Sequence, residues 1–151
     1  MTRSRTGLWA AAAGVGLTLA AASVAVSAGN PMEERQATMK QVGQTMKEAS
    51  AYASPQTAFD AGKVKGLMDG VAASAKKLHG LYPAGSGADP KSAADPKIWE
   101  NKADFDKRLG EMASLAAAAG KTGSQETFKP AFSALGATCK SCHDVYRRKK
   151  T

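Results

Sequence analysis

Only two cysteines occur in the 151-residue chain, Cys139 and Cys142, and His143 directly follows the second. On a helix, positions i, i+3 and i+4 share one face. Two thiols and an imidazole at that spacing can all meet one flat macrocycle. The thiols add across two vinyl groups of a porphyrin to form thioethers, and the imidazole reaches the iron as an axial ligand. C-x-x-C-H is the attachment motif of c-type haem, so one covalent haem c per chain is expected, held by Cys139, Cys142 and His143.

Other readings of the motif fit less well. A thioredoxin-like redox pair needs a βαβ context, and the chain has no alternating runs of strand length. A zinc site needs a fourth ligand; the one other histidine is His79 and no cysteine remains. His79, near a helix end and outside the motif, reads as a surface residue. A plain disulfide gives His143 no part.

Covalent haem attachment requires export, and the N-terminus carries an export signal. Arg3 and Arg5 precede an apolar run rich in Ala, Leu and Val, which closes on Val26-Ser27-Ala28. This is the pattern of a secretory signal peptide over 1–28, cut after Ala28. The run is long enough for a membrane anchor, but its Ala/Gly content and small-residue cleavage site favour removal. The expectation is a periplasmic domain at 29–151 with no permanent membrane span. The signal holds two arginines and no acid, so its loss lowers the net charge from +8 to +6. That basic excess lacks aromatic interleaving or any nucleic-acid motif, so nucleic-acid binding is not expected.

Four helical segments must position the motif. The first is expected over 31–53, with Asn30 as N-cap, Pro31 at the first helical position and Glu33 and Glu34 in the first turn. Met32, Met39 and Met46 recur on one face. The second is expected over 59–81, with Val64, Leu67, Met68, Val71, Ala75 and Leu78 at amphipathic spacing. A long loop at 83–97, with Pro and Gly, follows. The third is expected as one helix over 98–119 and the fourth over 124–148, where Phe128, Phe132, Leu135, Cys139, Cys142 and Tyr146 mark the buried stripe. Abundant alanine favours helix and close helix approach. The expected fold is all-α, an antiparallel four-helix bundle with the haem site near the C-terminus.

The chain resembles the class II cytochromes c, the cytochrome c-prime and c-556 family, over essentially 33–149. "CKSCHDVYRRK" matches the family ending C-x-x-C-H-x-x-[YF]-R, and "ERQATMKQVG" matches its first-helix pattern R-Q-x-x-M-K. "LYPAGSG" and "DPKIWENKADFDKRL" resemble the turn after its second helix and the opening of its third. The resemblance implies that Met39, four residues after Arg35, is the sixth iron ligand, as in the low-spin c-556 type. It also implies that Arg35 and Gln36 stand near the propionates and distal face, with Arg147 beside the proximal histidine. Tyr82 and Phe105 are candidates for contact with the macrocycle. Methionines at helical spacing also serve as core, so core packing is the competing reading of Met39.

Iron held by His143 and Met39 implies an electron carrier and not an enzyme. The basic C-terminal residues Arg148, Lys149 and Lys150 suit an acidic redox partner protein. The resemblance also allows a homodimer through the first two helices. The alternative function is a five-coordinate, cytochrome c-prime-like protein that binds nitric oxide or carbon monoxide. A peroxidase would need an acid–base constellation that the sequence does not display.

Overall fold

A computed structural model describes residues 29–149. The signal peptide expected at 1–28 lies outside the described residues, as does Lys150. The described elements are helical: α1 Pro31–Tyr52, α2 Ala61–Leu78, a 3₁₀ turn His79–Leu81, α3 Lys97–Glu100, α4 Lys102–Ala119 and α5 Gln125–Tyr146. The four long helices α1, α2, α4 and α5 form the expected bundle.

The helix ends follow local chemistry. Asn30 Oδ1 accepts from Met32 N at 3.0 Å, with Pro31 next in the chain and Glu33 and Glu34 against the positive end of the helix dipole. α2 starts later than expected, at Ala61, because the Asp60 carboxylate caps Lys63 N at 2.9 Å. Its last residues tighten into the 3₁₀ turn before Pro83, which disfavours helix at Tyr82. α5 begins with a capping box between Ser124 and Thr127.

Two corrections concern continuity. The single helix expected over 98–119 is two pieces, with Asn101 between them at φ −124°, ψ 48°. Asparagine is a weak helix former, and tertiary anchors hold the short piece at its own angle. Ile98 is fully buried, and the Trp99 indole N–H donates to Pro83 O at 2.8 Å. The helix expected to reach 148 stops at Tyr146, because Arg147 turns extended and pairs with Ala94 in an antiparallel bridge.

Two apolar clusters fill the bundle. One, built on Val64, Met68, Val71, Met112, Ala116, Phe128 and Leu135, packs α2 against α4 and α5. Small residues bring the helices close there: a Cβ on Gly120 would lie 3.1 Å from Met68 Cβ. The other cluster is aromatic. Tyr82 meets Phe105 edge-on at 4.6 Å between ring centres, and Phe105 meets Tyr146 at 5.4 Å and 84°, geometries favoured by ring quadrupoles. α2 lies against α1 and α4, and α4 against α5, whereas α1 and α5 scarcely meet.

The loop 82–96 crosses the end of the bundle. Gly85 takes φ 79°, where a side chain would be strained. Gly87 lies under Trp99, whose ring would stand 2.3 Å from an added Cβ.

Candidate haem site

The gap between α1 and α5 is a cleft of about 840 Å³, at the large end of the range for small-molecule sites. α5 contributes Cys139, Cys142 and His143 to one wall, and α1 contributes Met39, Val42 and Met46 to the other. Phe105, Leu109 and Met112 of α4 line it between them, with Tyr82 and Ala94 from the loop side. Helical periodicity presents all three motif side chains to the same space, as their spacing predicts. Met39 is half-buried and lines the cleft, so it is not enclosed as ordinary core.

The electrostatics suit an uncharged donor set. The two sulfurs are free, and Cys139 Sγ donates to Leu135 O at 3.5 Å. Burial pushes both thiols above their ordinary range, so they stay protonated at neutral pH. His143 remains open to solvent along the cleft. Partial shielding of the ring, and then the Arg147 charge, pull its imidazole below the usual value. The neutral imidazole is the form that binds metals.

Arg35 is 3 % exposed and beside the cleft. Its Nη1 donates to Leu81 O at 3.3 Å and Ser86 Oγ at 3.0 Å, and its Nη2 to Ser86 O at 2.7 Å and Ser92 Oγ at 2.9 Å. The guanidinium also lies 5.1 Å from the Tyr82 ring centre and 5.8 Å from that of Trp99. No carboxylate is within ion-pair distance of it among the described residues. Desolvation lowers its pKa. A buried cation without a counter-ion is costly, and an acidic group of a cofactor in the cleft would offset that cost. Gln36 lines the cleft as well and donates to Lys91 O at 3.2 Å. Arg147 is exposed at the cleft mouth.

The sequence reading missed a polar cluster beneath the motif. The Tyr146 hydroxyl donates to Asp104 Oδ2 at 2.6 Å, and Arg108 Nε donates to the same oxygen at 2.7 Å. Those two bonds hold the Asp104 carboxyl below its usual range, and burial first pushes the Tyr146 phenol up to about 12. The cluster locks the last turn of α5, and with it His143, against α4. The i, i+4 spacing of Asp104 and Arg108 was its one visible signal. His79 stands apart from the cleft, exposed, with Nδ1 3.3 Å from Asp106.

An apolar, porphyrin-sized cleft, a C-x-x-C-H triplet on one wall and an unpaired buried cation beside it fit a covalent haem. The fold and the site together define a c-type cytochrome built on a helical bundle. The chain belongs to the cytochrome c' family, whose pattern matches residues 30–147. Members of that family carry covalently attached haem c, and haem c is the cofactor of this chain. Over 137 residues, covering 90% of this chain and 94% of the relative, it is 35% identical to cytochrome c' of Rhodopseudomonas palustris. Over 128 residues, covering 83% and 86%, it is 36% identical to cytochrome c-556 of Agrobacterium fabrum. The solved structure of the R. palustris cytochrome c' superposes with a TM-score of 0.75 at 36% identity, over 81% of this chain and 98% of that one.

Proposed function

We propose that the protein is a periplasmic electron carrier in which Cys139 and Cys142 would hold the haem and His143 and Met39 would supply the two protein ligands of its iron. One observation carries this reading: Met39 and the motif residues line a single cleft from facing helices. The bound haem supplies an iron that alternates between ferric and ferrous. His143 offers a neutral nitrogen, kept so by partial shielding and Arg147. Met39 offers a thioether, a donor that raises the reduction potential relative to a second nitrogen. Phe105, Leu109 and Met112 supply the apolar wall between the two helices. Arg35 supplies positive charge beside the cofactor and Gln36 a polar group, while Arg147 keeps the cleft mouth positive.

The rest of the reading follows from export. Residues 1–28 are removed as a signal, leaving a periplasmic domain from residue 29 with no permanent span. No helix among the described residues is long and apolar enough to cross a membrane. Exposed Arg147 and Lys149 suit an acidic redox partner, and a homodimer through α1 and α2 is compatible with that contact. The protein transfers electrons without transforming a substrate.

A second reading keeps Met39 away from the iron and gives a five-coordinate protein that binds nitric oxide or carbon monoxide. The near-equal identity to a cytochrome c' and a cytochrome c-556 favours keeping it. The absorbance spectrum separates the two. The first reading expects a sharp low-spin spectrum with a methionine–iron charge-transfer band, both lost in Met39→Leu. A broad high-spin spectrum in the unmodified protein sinks the Met39 assignment.

A further inference from the structure

α1 and α5 are the two long walls of the cleft and scarcely touch. The loop 82–96 joins them. From the α1 side Arg35, one turn before Met39, holds Ser86 by its carbonyl and hydroxyl and Ser92 by its Oγ, at 2.7 to 3.0 Å. From the α5 side Arg148, two residues past the helix end, donates to Ser92 O at 3.3 Å and Gly87 O at 3.4 Å. The backbone completes the second attachment: Arg148 N donates to Ala93 O and Asp95 N to Tyr146 O, each at 2.9 Å. Ser92, 3 % exposed, is therefore gripped from both walls, by its hydroxyl and by its carbonyl.

We propose that this loop is a strap that sets the gap between α1 and α5, with Arg35 and Arg148 as positioning residues that meet at Ser92. The strap governs how firmly Met39 is held toward the His143 wall; that consequence rests on the axial assignment proposed above, while the strap itself does not. A loop of this length has little stiffness of its own. Here charge-assisted bonds, the stronger kind, anchor its middle at two points, and the Trp99–Gly87 contact and the Trp99–Pro83 bond brace it. α1, Arg35, Ser92, Arg148 and α5 form one series of linkages. Breaking it anywhere loosens α1, even from a site that α1 does not touch.

The test is hydrogen exchange of the haem-loaded protein, read at the α1 amides 39–46, in Arg148→Gln, Arg35→Lys and the double variant. Arg148→Gln is expected to speed exchange there roughly tenfold, the factor that corresponds to about 1.4 kcal/mol. Arg35→Lys should do at least as much. The double variant should fall short of the product of the two, since both break the same series of linkages. Carbon monoxide should also associate faster with the reduced single variants than with the parent. Unchanged α1 exchange in Arg148→Gln overturns the proposal, and so do effects that simply multiply. If Arg35→Lys does not fold, Ser92→Ala replaces it, with the same direction and a smaller effect. A high-spin spectrum in the parent removes the Met39 ligand but leaves the exchange result to judge the strap.

Discussion

The two sides of this bundle are built by opposite rules. Where α2, α4 and the first half of α5 pack together, small residues let the backbones approach and large ones fill what is left. Met68, Phe128 and Leu135 have no measurable exposure, and Gly120 packs under Met68. Between α1 and α5 the walls stay apart, and apart from buried Arg35 and Val42 the side chains they present are half-buried or exposed: Met39, Met46, Cys139, Cys142, His143. A core that fills itself is stable alone, at the density of an organic crystal. A core with a porphyrin-sized gap keeps apolar area in contact with water until a ligand covers it. A haem bound in this gap would be structural for one side of the molecule and irrelevant to the packing of the other.

The largest test of this contrast removes the attachment. The double variant Cys139→Ser, Cys142→Ser is expected to lose covalent haem entirely, read as absence of haem staining on a denaturing gel. Its α1 amides should lose protection while those of α2 and α4 largely keep theirs, because binding stabilises what it touches. Uniform loss of protection over all helices would break the comparison. Next in size, Phe128→Ala should cost about 3–5 kcal/mol, whereas Met46→Ala at the cleft should cost about 1 kcal/mol or less in the haem-free chain. Chemical denaturation measures both, and equal costs would erase the distinction. Gly87→Ala must move Trp99 off the loop, an overpacking cost of about 1–3 kcal/mol. It should show as a red-shifted tryptophan emission with lowered Tm.

The smallest effect concerns the Tyr146–Asp104 bond. Tyr146→Phe should cost about 1 kcal/mol at neutral pH. Asp104 is held below its usual range in the folded state, so its contribution is present above the unfolded carboxylate pKa near 3.9. It fades as the pH falls through the lower folded value. The gap in Tm between parent and variant should therefore shrink below about pH 4. A gap that is constant from pH 7 to 2 would show that the Tyr146 bond does not depend on the Asp104 charge.

Much of the architecture was legible residue by residue. Asn30, Pro31 and the two glutamates announced the start of α1 because capping is a contact within one turn. The three-four spacing of Val64, Leu67, Met68, Val71, Ala75 and Leu78 announced the buried face of α2, and all of those side chains are buried except Leu67, which is half-buried at its edge. The break at Asn101 was not legible, since a seven-residue repeat from Ile98 through Phe105 reads as one helix. It comes from Trp99 reaching Pro83, sixteen residues away. The end of α5 at Tyr146 likewise depends on Ala94, far off in the chain.

The site divides the same way. Cys139, Cys142 and His143 carry their meaning in adjacent letters, because one helical turn is enough to gather them on a face. Local chemistry of this kind is written in the sequence, as are the caps, the helical periods and the export signal expected at the N-terminus. The gap between α1 and α5, the crossing of Arg35 and Arg148 at Ser92, and the meeting of Tyr146, Asp104 and Arg108 join residues dozens of positions apart. No local pattern encodes such distances. They exist because whole helices pack, and packing fixes which distant side chains come within reach.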